Sequence, residues 1–262
     1  MIRPSPALEV ISLLFHDPSP ESWLASARNH DVRLELASTV IDTVEAGSER
    51  TFVVMPAGVF RAPTDQSRDD LANELLELSA RREIAIAFGI DVGRDDAWGP
   101  TEGPPKSYGF LCDAGEALLW PIELVRHEKS RRRRSKERRT ALVDCRRVSM
   151  LIDGEIFSEK LRARLEREEP ELIVVLAHMG PNERWQPRLE ELRRIAPVFV
   201  TGELPDDDEP SFAHGTRGWI IDRLVSTASV SVYRHRQVAI DDAFARELDR
   251  TIDEADVERV KS

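Results

Sequence analysis

The sequence predicts a mixed α/β sandwich in one domain spanning 1–262. Three observations predict it: short β-branched runs alternate with helical patterns, hairpin signals interrupt that alternation, and no internal repeat or linker divides the chain. LEVISLLF (8–15) reads as a first strand. VRLELASTVIDTVE (32–45) puts Leu36, Val40, Ile41 and Val44 on one face of a helix that Gly47 stops. TFVVM (51–55) is a strand cut off by Pro56, and Asp69 to Arg82 is a helix with Leu71, Leu75, Leu76 and Leu78 apolar and Arg81-Arg82 at its polar end. IAIAFGIDVG (84–93) is a third strand, and the Gly, Pro and Asp of 94–106 make a surface loop.

YGFLCDAGEALLW (108–120) has two apolar runs around Asp113-Ala114-Gly115, which signals a hairpin. RVSMLI (147–152) is a strand, followed by Asp153-Gly154-Glu155 and a charged helix over 158–168. ELIVVLAH (171–178) is the most strand-like run in the chain. A helix over 189–195, strands at PVFVT (197–201), GWIID (218–222) and ASVSVYR (228–234), and a polar helix from Asp241 complete the pattern.

Composition excludes several classes. With 41% hydrophobic and 32% charged residues the chain is globular and not disordered, and no apolar run approaches the ~20 residues of a bilayer helix. The apolar stretch Val10–Phe15 follows Glu9 and ends at His16-Asp17-Pro18, unlike a signal peptide. Cys112 and Cys145 are the only cysteines, so no disulfide framework or four-thiolate metal site is available and a cytoplasmic location is expected. The net charge of −11 hides an asymmetry: 126–139 (RHEKSRRRRSKERR) carries a local +7, leaving −18 on the remainder.

The order of these elements resembles the nitrilase superfamily, the carbon-nitrogen hydrolases, over nearly the whole chain. FVVMPAGVF (52–60) matches the strand that ends in Pro-Glu-Gly with a general-base Glu, and LCDAGEALLWPIEL (111–124) matches the hairpin leading to a catalytic Lys. RVSMLIDGEIF (147–157) matches the strand and turn that carry the nucleophilic Cys. The resemblance implies an α-β-β-α sandwich, homo-oligomers, and no cofactor. It also implies that the triad positions hold Ala57, Glu123 and Asp153, with Lys129 the alternative at the Lys position in a shifted register. Ala57 cannot take a proton, Glu123 reverses the charge facing an oxyanion, and an Asp attacking an amide would have to expel an amine to form an anhydride. The chain is therefore expected to have lost amidase or nitrilase activity, as a pseudoenzyme with a small-molecule or partner-binding role.

Two other readings stand beside that one. Asp153, Glu155 and His178 fall at the strand ends where α/β folds place sites and would suit a diverged hydrolase, one acting on C–N bonds or using a divalent metal. Their plainer reading, which expects no metal, makes Asp153 a helix cap and His178 structural. His214, on a Gly-containing loop, is expected to line a vestigial pocket with Glu155 and His178. The 126–139 segment is a solvated insertion or an interaction module, with Arg131, Arg132, Arg133 and Arg134 meeting an acidic protein partner; nucleic acid is disfavoured by the −18 remainder.

Overall fold

The computed structural model describes residues 9–15, 33–35, 37–39, 41, 51–93, 106–122, 138–179, 183–203, 219–226 and 230–237. Among the described residues, twelve strands form two sheets. The large sheet contains β1 (Glu9–Phe15), β2 (Thr51–Val54), β3 (Phe60–Ala62), β4 (Ala85–Val92), β5 (Lys106–Asp113), β6 (Glu116–Leu119), β11 (Trp219–Ser226) and β12 (Val230–Gln237), in the order β11-β12-β1-β2-β4-β5-β6 with β3 also on β4. The small sheet runs β10-β9-β8-β7, from β7 (Thr140–Val143), β8 (Arg146–Ile152), β9 (Leu172–Met179) and β10 (Val198–Glu203). Both are mixed, as the interposed hairpins predict: β1, β2 and β4 are parallel while β4–β5 and β5–β6 are antiparallel. In the small sheet β8, β9 and β10 are parallel and β7 is antiparallel to β8.

Side-chain alternation along these strands builds three apolar layers. Phe52, Val54, Ala85, Ala87 and Leu111 of the large sheet meet Val148, Met150, Ile152, Leu172, Val174 and Leu176 of the small one. The opposite face of the large sheet, with Val53, Ile86, Phe88 and Ile90, packs on Leu71, Ala72, Leu75 and Leu78 of helix α1 (Asp65–Arg82) and on Ala37 and Ile41. The opposite face of the small sheet, with Leu151, Ile173 and Val175, packs on Leu161 and Leu165 of α2 (Glu159–Glu168) and on Leu189 and Leu192 of α3 (Gln186–Arg193). The order of layers is helix, sheet, sheet, helix.

Local chemistry sets the ends of these elements. Thr64 caps α1 by accepting from the Ser67 amide at 3.1 Å, and Ser158 caps α2 by accepting from Leu161. The cap of the second helix is thus Ser158 and not Asp153, whose side chain points elsewhere. Ala114 (φ 47°) and Gly115 (φ 85°) form the two-residue turn of the β5–β6 hairpin. A second hairpin of the same shape, unexpected from sequence, joins β7 to β8 through Asp144 (φ 47°) and Cys145 (φ 64°). The stretch 52–60 is also more than one strand. β2 pairs with the start of β4 and β3 with its end, and residues 56–59 lift away between them.

Candidate active site between the sheet ends

The site begins where 56–59 leaves the large sheet. The Met55 amide donates to Ala87 O at 2.8 Å, still within that sheet, but the Ala57 amide donates to Ala177 O of β9 at 3.0 Å, tying one sheet to the other. This close approach needs Gly89, because a Cβ there would stand 2.5 Å from Ala57 Cα. Gly58 follows with φ 64°, and a Cβ on it would meet His178 Cδ2 at 2.8 Å and Asp91 Oδ2 at 2.9 Å. Ala57 is fully buried.

Strand alternation supplies the polar groups. Asp91 shares its face of β4 with Ala85 and Ala87, Ser107 shares its face of β5 with Leu111, and His178 shares its face of β9 with Val174 and Leu176, so all three face the other sheet. His178 Nε2 lies 3.1 and 3.0 Å from Asp91 Oδ1 and Oδ2, and 3.4 Å from Ser107 Oγ. Its Nδ1 lies 3.4 Å from Asp153 Oδ2, and its backbone amide 3.4 Å from Asp153 Oδ1. Asp153 reaches this position because β8 ends at Ile152 and the chain turns there with φ 41° into a 3-10 segment (Asp153–Phe157).

Burial disfavours the charged imidazolium, but the Asp91 carboxylate, with Asp153 on the other ring edge, outweighs it and raises the His178 pKa to about 10. His178 is therefore a cation at neutral pH, with a proton on each ring nitrogen. It cannot serve as the base for Ser107, since its Nε2 proton already faces Asp91.

Of the residues singled out from sequence, the structure brings Asp153 and His178 together and places Ala57 beside them. Glu155 is engaged differently: its Oε1 accepts from the Arg139 guanidinium at 2.7 Å and its Oε2 from the Ile152 amide at 3.0 Å. Arg139 also donates to Ile122 O at 3.0 Å and is fully buried, so the last residue of the 126–139 segment belongs to the core and not to a solvated insertion. Among the described residues no three His, Cys, Asp or Glu side chains are arranged to hold a metal ion. Glu123, Lys129, His214 and Arg131 to Arg134 lie outside the described residues. Asp91, Ser107 and Arg139 were not singled out from sequence; a charged residue inside an apolar strand, such as Asp91, was the available signal.

Neither cysteine is in this site. Cys145 is exposed in the β7–β8 turn, at the far end of the seven-residue β8 from Asp153, about 25 Å of extended chain away. Cys112 is buried on the α1 side of the large sheet, and burial pushes its thiol up to about 11, away from the thiolate.

No protein-family model and no curated protein sequence matches the chain. Solved structures of an amidase from Nesterenkonia sp. AN1 do match. A mutant showing covalent addition of the acetamide moiety of fluoroacetamide at its active-site cysteine has a TM-score of 0.56 and 13% identity, covering 96% of this chain and 98% of that one. The NitN amidase after His-tag removal has a TM-score of 0.54 and 15% identity, covering 93% and 99%. A cysteine mutant of the same amidase, described as from the nitrilase superfamily, has a TM-score of 0.55 and 14% identity, covering 93% and 96%. The chain has the nitrilase-superfamily fold. Gly58, next to position 57, packs closely against His178, and the carboxylate at position 153 lies 3.4 Å from His178 Nδ1.

Proposed function

We propose that this nitrilase-fold chain does not hydrolyse amides or nitriles through a cysteine thiolate, and that the end of its inter-sheet layer is a rebuilt small-molecule site. The observation that carries the reading is the Asp153–His178 contact at the end of β8, where the resemblance calls for a thiol. Amide hydrolysis by that route needs a thiolate, a carboxylate to move its proton and a cation at the oxyanion, and these act as a unit. Here a fully buried alanine stands at 57 and an ion-paired carboxylate at 153. The test is ammonia release from a panel of short aliphatic amides and nitriles, with fluoroacetamide as a trapping reagent. No turnover above the heat-denatured protein is expected, and labelling only at the exposed Cys145. Turnover that Cys145→Ala or Cys112→Ala abolishes would defeat the reading.

The charge asymmetry favours a second role, carried by the Arg-rich segment. A local +7 on an otherwise acidic chain suits an acidic protein surface, that of a second copy included, in a cytoplasmic homo-oligomer. No helix among the described residues is long and apolar enough to cross a membrane. Such binding should weaken steeply with added salt and be lost when Arg131 to Arg134 are replaced by Ser; binding indifferent to both would remove this role.

A further inference from the structure

We propose that β7 is a self-pairing edge: two copies of this chain join antiparallel along it, so that their small sheets continue through the contact. The inference goes beyond the readings above, since it assigns the contact to a strand edge and rests neither on the loss of the thiol nor on Arg131 to Arg134.

Four strands among the described residues end the two sheets: β11 and β6 the large one, β10 and β7 the small one. Three of these edges are broken in register, between Arg223 and Val225 in β11, between Thr201 and Glu203 in β10, and where β6 meets β5 at Leu111 and Cys112. The same three strands carry charge, with Asp222, Glu203 and Glu116. Breaks and charges of this kind keep an edge from adding another strand. β7, Thr-Ala-Leu-Val, has neither: it is uncharged and pairs with β8 in unbroken register. Its Leu142 is 62% exposed, and Ala141, with Leu118 of the neighbouring β6, is only partly buried against the inter-sheet layer.

The ladder with β8 fixes which backbone groups face outward. The Met150 amide donates to Arg139 O at 2.8 Å, so Arg139, Ala141 and Val143, at alternate positions, turn their backbone groups toward β8. Thr140 and Leu142 therefore turn theirs to the open edge.

The flanks of the strand select a second copy as the occupant. Arg138 precedes β7 and Asp144 follows it, each three residues from Ala141. With Ala141 on a twofold axis, an antiparallel partner brings Arg138 of each copy level with Asp144 of the other. Thr140 of each then stands opposite Leu142 of the other, and each such pair exchanges both backbone hydrogen bonds. The Leu142 side chains meet diagonally across the axis. A parallel partner in register would instead set Arg138 beside Arg138 and Asp144 beside Asp144. This self-complementarity is what a twofold contact requires. The charge pair lies at the surface, so it chooses the orientation, while the backbone bonds and Leu142 supply the attraction. With only four residues in β7 the contact is small, and the dimer belongs at the weak end of specific interfaces, about micromolar or looser.

The experiment uses the whole chain. Sedimentation velocity over roughly 1 to 100 μM should show monomer passing to dimer. Leu142→Lys changes an exposed side chain and sets like charges across the axis, so it should weaken dimerisation about tenfold or more with circular dichroism unchanged. Ala141→Cys in the Cys145→Ser protein reads the register. Opposite residues that share no ladder bonds have Cα atoms about 4.5 Å apart, within disulfide range, so mild oxidation should give a covalent dimer, and adding Leu142→Lys should slow its formation by a similar factor. A chain that stays monomeric throughout overturns the inference; slow hydrogen exchange at the Thr140 and Leu142 amides of that monomer would show that its own chain covers the edge. A dimer in which Ala141→Cys does not cross-link also overturns it. So does a dimer that is lost when Arg131 to Arg134 are replaced by Ser but is unmoved by Leu142→Lys, since the contact would then belong to the Arg-rich segment.

Discussion

His178 gathers the charges of the two sheets at one ring. It is carried on β9 of the small sheet, Asp91 on β4 of the large one, and Asp153 at the end of β8, so its protonation bears on how the sheets are joined. A pKa raised from 6.5 to about 10 on folding means that the native state holds the proton more tightly than the unfolded chain. The resulting stabilisation is fully present below the unfolded value of 6.5 and is lost as pH rises through about 10. Thermal melting of the native protein and of His178→Gln should therefore differ most near pH 6 and converge toward about pH 10; a difference that grows with pH would contradict this. The fit at Gly89 allows a second prediction. Gly89→Ala puts a methyl group 2.5 Å from Ala57 Cα, so the backbone of 57 must move and its bond to Ala177 O must stretch. A loss of about 1–3 kcal/mol in urea unfolding is expected.

At the scale of elements, the buried Arg139–Glu155 pair joins the start of β7 to the turn after β8, with Ile122 as a third partner. Arg139→Met leaves the Glu155 charge buried without its cation and should cost about 3–5 kcal/mol in chemical denaturation. Adding Glu155→Gln, which can still accept from the Ile152 amide, should recover much of that loss; equal losses in the single and double variants would show that the ion pair is not the cause. Sequence reasoning missed this pair because Arg139 closes a run of charges whose composition reads as solvated. The same reasoning found the β5–β6 hairpin, where Gly115 marks a turn with positive φ, and missed β7–β8, where Asp144 and Cys145 adopt that backbone without a glycine. It also found β2 but not β3, since the break at 56–59 depends on a backbone bond to the other sheet, which no local pattern encodes. The alternation of apolar residues and the chain order were enough to reveal the sandwich. The site was half legible: Ala57, Asp153 and His178 stand at motif or strand-end positions, whereas Asp91 and Ser107 become site residues only when register brings β4 and β5 opposite β9.

At the scale of the whole molecule, the inter-sheet layer draws side chains from both sheets, so neither can expose its inner face without uncovering the other. We therefore propose that the chain unfolds as one unit, although at 262 residues and with three apolar layers it exceeds the size at which two-state behaviour is the norm. Two tryptophans sit where the question can be asked. Trp120 packs on Phe110 of the large sheet, and Trp185 packs in the layer that covers the small one. Urea unfolding of variants that keep only Trp120 or only Trp185 should give coincident fluorescence transitions, which also match the loss of far-ultraviolet circular dichroism. A separate, earlier transition at Trp185 would mean that the small sheet and its helices form an independent domain. Asp91, His178 and Asp153 would then lie across a boundary between two domains, and the site would depend on their docking. A single transition instead makes the charge cluster part of the fold's common cooperative unit, so that any loss of the His178 contacts registers at both tryptophans equally.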